Sequence, residues 1–359
     1  MHVSKEGGNE DPTCFFTGVH SNLLIECSMK NRCFLIVLFL CVTFSVEAQQ
    51  TKPLAFNESG ELKIVQFTDV HFQVGNPASE SALECIDHIL EVEQPHLAIF
   101  TGDIVYNKPA EEGLRTVLQR VSNHKVPFVV TLGNHDEEQD LDRTMLYNVV
   151  RSIPGCLQTE ECNQFVLRVN SSRGLNTAAL LYVFDSHAYS PLPHVKGYDW
   201  IKENQIAWYR QVSAQLTNDN QQSPLPALSF FHIPLPEYGE AASDQNAIMY
   251  GTRMEAACSP KLNSGLFTAF MEQGDVMGCF VGHDHDNDYA VMWRGILLAY
   301  GRFTGGNTEY NHLPNGARVI VLHEGQRCFT TWIRTRDGIV EQRTNYPDSY
   351  IKDDWRKRK

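Results

Sequence analysis

The chain has 359 residues, of which 42% are hydrophobic and 20% charged, and its formal net charge at pH 7 is −13. This length and hydrophobic content are enough to bury a full core, which excludes an intrinsically disordered protein. The excess of acidic residues argues against a nucleic-acid-binding protein, because such proteins need a basic face to displace counterions from phosphates.

The first 48 residues have the pattern of a targeting segment. Residues 33–46 form an uncharged apolar run that follows two basic residues and ends at small residues, which is typical of a secretory signal peptide. The run is shorter than the roughly 20 apolar residues of a membrane-spanning helix, so no stable membrane span is expected. We predict a secreted protein with a signal peptide over 29–48, translation from Met29 and an upstream extension over 1–28. A retained signal anchor is the alternative.

Cysteines and glycosylation motifs also bear on the compartment. Six of the ten cysteines follow the signal segment, an even number that permits disulfides in a secreted chain. Cys156 and Cys162 flank a short polar stretch and are the most favourable pair for a loop disulfide. Cys279 lies in an apolar run, where a free buried thiol is expected. Sequons at Asn57 and Asn170 predict a glycoprotein and agree with secretion.

From residue 62 onward, short β-branched runs alternate with helical patterns. In chain order we predict strand 62–68, helix 81–92, strand 97–101, helix 111–121, strand 126–132, strand 178–184, helix 203–216, strand 227–231, helix 262–271 and strand 276–281. Such alternation indicates βαβ units and a largely parallel sheet. Three strand-like segments without a clear helix between them follow at 290–300, 317–322 and 328–335. We expect these three to form a meander that closes a second sheet.

Residues 55–350 contain no linker or low-complexity block, so we predict a single domain there and a solvated basic tail over 351–359. Polar side chains follow the ends of five predicted strands in this domain. They are Asp69 and His71, then Asp103, then Asn134, His135 and Asp136, then His232, and finally His283 and His285. Ligands of open α/β sheets bind beyond the carboxyl ends of the strands, so these side chains are expected to converge.

Buried histidines and carboxylates at one crevice would be costly without a compensating cation. Mixed His, Asp and Asn ligands without cysteine suit Fe, Mn or Zn. Their number exceeds what one ion needs and fits two ions that share a bridging carboxylate. Bound cations would also allow an acidic protein to bind a phosphate substrate.

The blocks Asp-x-His, Gly-Asp-x-x-x-Asn, Gly-Asn-His-Asp, a single His and Gly-His-x-His occur in this order. Together they resemble the signature of the calcineurin-like metallophosphoesterase superfamily. The stretches at 198–201, 232–234 and 300–302 resemble the short purple-acid-phosphatase-like proteins of plants. The resemblance implies an α/β fold, a four-layer α-β-β-α sandwich of two mixed sheets with the dimetal site at the carboxyl ends of the strands. It implies a phosphoesterase, more specifically a phosphomonoesterase, acting on small-molecule phosphate esters or phosphoproteins.

The resemblance also implies a role for each residue. One metal would be held by Asp69, His71 and His285, the other by Asn134, His232 and His283, with Asp103 as the bridge. His135 would lie beside the substrate phosphate, oriented by Asp136, and would protonate the leaving oxygen. The cofactors would be two divalent or trivalent ions, Fe, Mn or Zn, that activate a bridging water.

Tyr106 occupies the position of a tyrosine ligand of true purple acid phosphatases, and His71 a position where those enzymes have no histidine. The two would compete for one coordination position, and His71 is favoured because Asn107 completes the general superfamily motif. Two alternatives remain open: a non-catalytic secreted binding module on the same fold, and a phosphodiesterase. Arg253 and Arg302 are candidates either for substrate contact or for surface ion pairs. No nucleic-acid partner is expected.

Overall fold

The computed structural model describes residues 53–158 and 164–352. Its strands are β1 (Glu61–Phe67), β2 (Leu97–Thr101), β3 (Phe128–Thr131), β4 (Gln164–Asn170), β5 (Thr177–Phe184), β6 (Ala227–Phe230), β7 (Met249–Tyr250), β8 (Val276–Val281), β9 (Ala290–Trp293), β10 (Ile296–Tyr300), β11 (Gly316–His323), β12 (Phe329–Thr335) and β13 (Val340–Tyr346). Its α-helices are α1 (Glu80–Glu93), α2 (Ala110–Asn123), α3 (Arg143–Ser152), α4 (Glu203–Asp219), α5 (Pro236–Ser243) and α6 (Leu266–Gln273).

The strands form two mixed sheets. The first has the order β13-β12-β11-β1-β2-β3, and the second has the order β4-β5-β6-β8-β10-β9-β7. Strands β1, β2 and β3 are parallel to one another, as are β5, β6, β8 and β10. In the first sheet Ile64 pairs with Leu97, and in the second Ala227 pairs with Val276. The parallel strands are the ones that carry the predicted site residues at their carboxyl ends.

Three clusters of buried apolar side chains lie between the layers. Val65 of β1 packs with Ile86 of α1 in a cluster between the first sheet and α1 to α3. Its neighbour Ile64 faces the other way and packs with Phe230 of β6 between the two sheets, as the alternation of side chains along a strand requires. The third cluster, which includes Tyr209, lies between the second sheet and α4 to α6. The predicted four-layer α-β-β-α sandwich is confirmed.

The carboxyl-terminal strands differ from the expectation. The segment 290–300 is a hairpin, β9 and β10, within the second sheet. The next strand, β11, leaves that sheet and pairs antiparallel with β1, so that β11, β12 and β13 extend the first sheet. The prediction of one meander that closes a second sheet is therefore wrong. Strand β11 is buried on both faces except at its last residue, and its sequence carries no signal for one sheet over the other.

The structure also contains elements that the sequence patterns did not predict: α3, α5, β4, β7 and β13. Helix α5 begins with Pro236 and lies inside the segment 235–259 that was expected to be a loop. Proline is favoured at the first position of a helix, where its missing N–H has no helical partner to lose. Strands β4 and β13 are only partly buried edge strands, and their mixed polarity obscures the period-two pattern.

Cys279 is a buried free thiol, as predicted. Cys156 is also a free thiol, with its sulfur 3.8 Å from Gln158 Oε1, so the structure does not contain the predicted loop disulfide. Its proposed partner Cys162 lies outside the described residues, as do the predicted signal peptide and most of the basic tail. Within the two described ranges, no helix has the length and apolar character needed to cross a membrane.

Candidate metal centre

Both sheets deliver buried polar side chains to one place. The first sheet contributes Asp69 and His71 after β1, Asp103 after β2 and Asn134 after β3, and the second contributes His232 after β6 and His283 and His285 after β8. These residues form two groups that could each hold a metal ion, one of Asp69, His71 and His285 and the other of Asp103, His232 and His283. Within each group the potential ligand atoms lie within 4.8 Å of one another.

Asp103 lies between the two groups. Its Oδ2 atom is 3.1 Å from Nε2 of His232 and 3.8 Å from Nε2 of His71, which belong to different groups. Asn134 lies next to the second group, with its Oδ1 atom 3.2 Å from Nε2 of His232. The structure therefore brings together all seven residues predicted as ligands, with the carboxylate predicted to bridge in the middle.

Backbone carbonyls orient two of the imidazoles. His232 donates from Nδ1 to the carbonyl oxygen of Thr101 at 2.7 Å, and His285 donates from Nδ1 to that of Tyr310 at 2.9 Å. Such bonds fix the tautomer and leave Nε2 free to bind a metal. Nε2 of His285 lies 3.9 Å from Oδ1 of Asp69, its partner in the first group.

His71 tests directly whether the site suits a cation. Its side chain is fully buried, and both ring nitrogens lack a hydrogen-bond partner among the described residues. Burial also holds the pKa of His71 well below its usual value, so the imidazole is neutral. A buried polar group without a partner costs about 1–3 kcal/mol, whereas a neutral imidazole is a common metal ligand. The donor set therefore fits metal ions.

The backbone at the ligands is unusual. Asp69, His71, Asp103 and His283 have φ angles of 53°, 45°, 50° and 82°, in the left-handed region that residues other than glycine rarely adopt. Each such position costs on the order of 1–3 kcal/mol, and such positions concentrate at functional sites. Four ligand residues with this costly backbone conformation indicate that the site requires their side chains at these positions.

Two glycines make room for the carboxylates. A Cβ atom on Gly133 would lie 2.1 Å from Oδ1 of Asp103, and one on Gly282 would lie 2.6 Å from Oδ2 of Asp69 and 1.9 Å from Oγ1 of Thr68. Real Cβ atoms do not approach so closely, so any other residue at either position would displace a carboxylate of the site.

His135 lies at the mouth of the site with 26% of its side chain exposed. Its Nδ1 atom is 2.6 Å from Oε2 of Glu138, three residues later in the same 3₁₀ turn. Burial lowers the pKa of His135, but the carboxylates of Asp103 and Glu138 outweigh this effect and raise the pKa above its usual value. The predicted catalytic histidine is thus oriented by Glu138, a residue that the sequence analysis missed.

Asp136 has a different role from the one predicted. Its fully buried carboxylate accepts four backbone N–H bonds, from Asp103, Ile104, Val105 and Gly133, at 2.7–3.0 Å. With both oxygens engaged in this way, the prediction that Asp136 orients His135 is wrong. Instead, Asp136 clamps the turn after β2 to the turn after β3 and so supports the backbone of Asp103.

Tyr106 lies against the metal centre without joining either ligand group. Its ring meets the rings of His71 and His135 edge to face at centroid distances of 4.9 and 5.0 Å. Burial, together with the nearby carboxylate of Glu309, raises the pKa of Tyr106 to about 12. Asn107 is not near a ligand position either, because its side chain bonds the backbone of Val74. His71 is the residue that the structure places in the ligand group.

Three further tyrosines surround the ligands, and with Tyr106 we call them the tyrosine rim. Tyr198 meets His283 edge to face at 4.3 Å, and Tyr189 stacks on Tyr198 at 5.9 Å. Tyr310 stacks on His285 at 4.5 Å. All three lie in or at the end of long loops, where no hydrophobic period marks them, and the sequence analysis did not single them out as rim residues.

The two candidate arginines make their hydrogen bonds outside the ligand groups. Arg302 is buried and bonded to Asp288 and Glu341, so the candidate role in substrate contact is wrong. Arg253 donates from Nη1 to the carbonyl oxygen of Ala242. Arg143, which the sequence analysis missed, pairs with Asp185 and donates to the carbonyl oxygens of Leu132 and Gly133. These hydrogen bonds hold the backbone of the turn that follows β3.

Comparison with known proteins agrees with this geometry. A family model described as calcineurin-like phosphoesterase matches residues 62–287. The chain is 31% identical to “Probable inactive purple acid phosphatase 29” of Arabidopsis thaliana over 83% of this chain and 86% of that protein. It is 30% identical to “Phosphatase DCR2” of Saccharomyces cerevisiae over 77% of this chain and 54% of the yeast protein. A dimetal phosphatase from Danio rerio has the same fold, with a TM-score of 0.57 at 13% identity over 79% of this chain and 98% of its own.

Proposed function

The chain belongs to the calcineurin-like phosphoesterase family, and on that premise we propose that it is a dimetal phosphomonoesterase. The observation that carries the proposal is the pair of intact ligand groups with Asp103 between them. The fully buried and unpartnered ring nitrogens of His71 add to it, because they leave a polar group that a cation would satisfy.

The proposed ligand sets are Asp69, His71 and His285 for one ion and Asn134, His232 and His283 for the other, with Asp103 shared. The donor types favour Fe, Mn or Zn. When bound, two such ions supply Lewis acidity that activates water and neutralises charge on a reacting phosphate.

The protein's own contribution to the reaction is at His135. Glu138 holds Nδ1, which leaves Nε2 as the ring nitrogen that can give a proton to the leaving oxygen. The Glu138 carboxylate beside Nδ1 favours the protonated imidazole and contributes to the raised pKa of His135. A positioned acid of this kind typically contributes about 10²–10⁴-fold in rate.

A second candidate function is a non-catalytic binding module, and the name of the Arabidopsis relative favours it. Against it, the ligand groups are complete and His135 is present at the mouth of the site. A phosphodiesterase is the alternative within the enzyme class. We further propose that the protein enters the secretory pathway, because residues 29–48 have the sequence pattern of a signal peptide.

One sample tests these proposals together. The chain is expressed in a eukaryotic host, collected from the medium, and analysed for metal content and for hydrolysis of an aryl phosphate and a bis-aryl phosphate. About two equivalents of metal with faster monoester turnover would support the phosphomonoesterase. Preferential diester turnover would favour the phosphodiesterase. Metal-free, inactive protein would favour the binding module, and retention in the cells would contradict secretion.

An Asp103→Asn variant prepared in parallel controls for contaminating phosphatases. It preserves the size of the side chain but removes the charge between the two groups. Activity that persists undiminished in this variant would show that the hydrolysis does not come from the proposed site.

A further inference from the structure

Aromatic rings form the mouth of the metal centre. Tyr106, Tyr198 and Tyr310 of the tyrosine rim each contact a different ligand histidine, and Tyr189 stacks on Tyr198. Tyr189 and Tyr310 are each 49% exposed, so part of each ring faces outward. A ligand bound at the metals would extend past these rings on its way to solvent.

Carboxylates alternate with the rings. Glu138 accepts a hydrogen bond from the Tyr189 hydroxyl at 2.6 Å, and Glu255 accepts one from the Tyr310 hydroxyl at 3.1 Å. The carboxylate of Glu309 lies near Tyr106, where it contributes to the raised pKa of that tyrosine. Glu138 also pairs with His135, but among the described residues no lysine or arginine forms an ion pair with Glu138, Glu255 or Glu309. The mouth is therefore both aromatic and acidic.

A metal-bound phosphate does not require these groups. Its negative charge would be neutralised by cations at the ligand groups, where both ring nitrogens of His71 lack a hydrogen-bond partner among the described residues. The rim carboxylates lie outside that point and would repel a substrate whose alcohol carries further negative charge. Tyrosine faces and carboxylates together attract an ammonium group, since the ring quadrupole and the carboxylate charge both favour a cation.

We propose that the substrates are phosphate monoesters of amino alcohols, with the phosphate at the metal centre and the ammonium group in the tyrosine rim. Phosphocholine and phosphoethanolamine are the simplest members of this class. The inference rests on the proposed phosphomonoesterase function and names its substrate class. A quaternary ammonium group gains most from aromatic faces, whereas a primary one gains most from hydrogen bonds to carboxylates.

The test compares two substrates of the same shape. Phosphocholine and 3,3-dimethylbutyl phosphate differ only in having nitrogen or carbon at the branched centre, so the charge is changed and the size is not. We expect kcat/KM for phosphocholine to exceed that for 3,3-dimethylbutyl phosphate by about tenfold or more. A desolvated cation–π contact and nearby carboxylates together favour the cation by a factor of that order. Phosphoethanolamine, as a third substrate, separates primary from quaternary ammonium groups.

Binding is measured independently of turnover. The non-hydrolysable phosphonate analogues of the same pair are titrated calorimetrically into the metal-loaded protein, and the affinity ratio is compared in rim variants. Tyr310→Leu and Glu255→Gln should each lower the ratio several-fold. The matched controls are Tyr250→Leu, an exposed tyrosine that packs against Tyr350, and Glu84→Gln, an exposed carboxylate paired with Arg336. Both controls should keep the wild-type ratio.

The outcomes separate this inference from the function on which it rests. Equal kcat/KM and equal affinity for the charged and neutral compounds would overturn the ammonium site while leaving the phosphomonoesterase intact. No turnover of either substrate, together with tighter binding of the cationic phosphonate, would contradict the phosphomonoesterase and support the ammonium site. A preference for the cationic compound that persists unchanged in both rim variants would also overturn the ammonium site.

Discussion

At the mouth of the metal centre, His135 is held by Glu138 through a 2.6 Å contact at Nδ1. This contact leads to the first prediction, at the scale of single residues. His135→Ala should retain metal, because His135 belongs to neither ligand group, but should lose about 10²–10⁴-fold in rate. The loss should be larger for alkyl phosphates, whose leaving groups need a proton, than for activated aryl phosphates. Kinetics on both substrates with elemental analysis measure this.

Glu138→Gln should fall between the wild type and His135→Ala, because it removes the carboxylate that orients the ring but keeps the ring. Glu112→Gln, on the exposed side of α2, is the control for loss of one acidic charge. Metal loss in His135→Ala, or equal rate losses for the two kinds of leaving group, would contradict the assignment of His135 as the acid.

A second residue-scale prediction concerns Gly133. Its Cβ atom in Gly133→Ala would lie 2.1 Å from Oδ1 of Asp103, so the alanine should displace the carboxylate between the two ligand groups. We expect the variant to lose most of its metal and its activity. Gly174→Ala is a matched control, because a Cβ atom there would meet nothing within 4 Å. Full metal content in Gly133→Ala would show that Asp103 is not needed at its observed position.

At the scale of elements, the strand ends were predictable and the loops between them were not. Strands β2 and β8 match their predicted bounds because a continuous apolar run ends at a glycine turn. Helix α3 had a usable signal that was missed, an Asp142 N-cap followed by buried Leu146, Val149 and Val150 at helical spacing. The tyrosine rim had no such signal, since loop positions carry no periodicity that would distinguish a site residue from a surface residue.

The prediction that Asp136 orients His135 was wrong because the sequence pattern did not specify the geometry of the turn. Adjacent residues in Asn-His-Asp were expected to act on one another, but the 3₁₀ turn that begins at Asp136 directs its carboxylate inward, to backbone N–H groups of two turns. Glu138, on the same turn, faces His135 instead. Local turn geometry, which the sequence pattern does not specify, decided which carboxylate meets the imidazole.

The clamp formed by Asp136 leads to a prediction about the two turns that it joins. Asp136→Asn replaces one accepting oxygen with an amide group that cannot accept the backbone N–H bonds. Each buried donor left without a partner costs about 1–3 kcal/mol, so the free energy of unfolding should fall by at least that amount. Urea unfolding of metal-free protein measures the change, with exposed Asp219→Asn as the control. Equal stability of the two variants would contradict the clamp.

At the scale of the whole molecule, hydrogen bonds of buried polar groups join layers that otherwise contact one another through apolar side chains. Asp275, before β8, accepts hydrogen bonds from Tyr182 of β5 and from Tyr209 and Ser213 of α4. Glu93, at the end of α1, accepts the corresponding hydrogen bonds from strands β1 and β12 of the first sheet. These contacts fix which helix lies over which strands, a choice that non-directional apolar burial does not make.

Glu93 gives the last prediction, a pH dependence of global stability. Its carboxylate is only 3% exposed and accepts hydrogen bonds from Arg334 at 2.6 Å, Trp332 at 3.1 Å and Lys63 at 3.2 Å. Burial raises the pKa of Glu93, but these partners outweigh it and hold the pKa below its usual value of 4.5. A carboxylate with a lowered folded pKa stabilises the protein above its unfolded pKa, and this stabilisation is lost as the pH falls through the folded pKa.

Glu93→Gln should therefore reduce the free energy of unfolding by about 2 kcal/mol at pH 7, and the difference from wild type should shrink below pH 4.5. Urea unfolding at pH 7 and at pH 3.5 measures both values, with the exposed pair of Glu111 and Arg115 tested by Glu111→Gln as a control that changes little at either pH. A difference that stays constant between the two pH values would contradict an ionised Glu93 as the source of the stability.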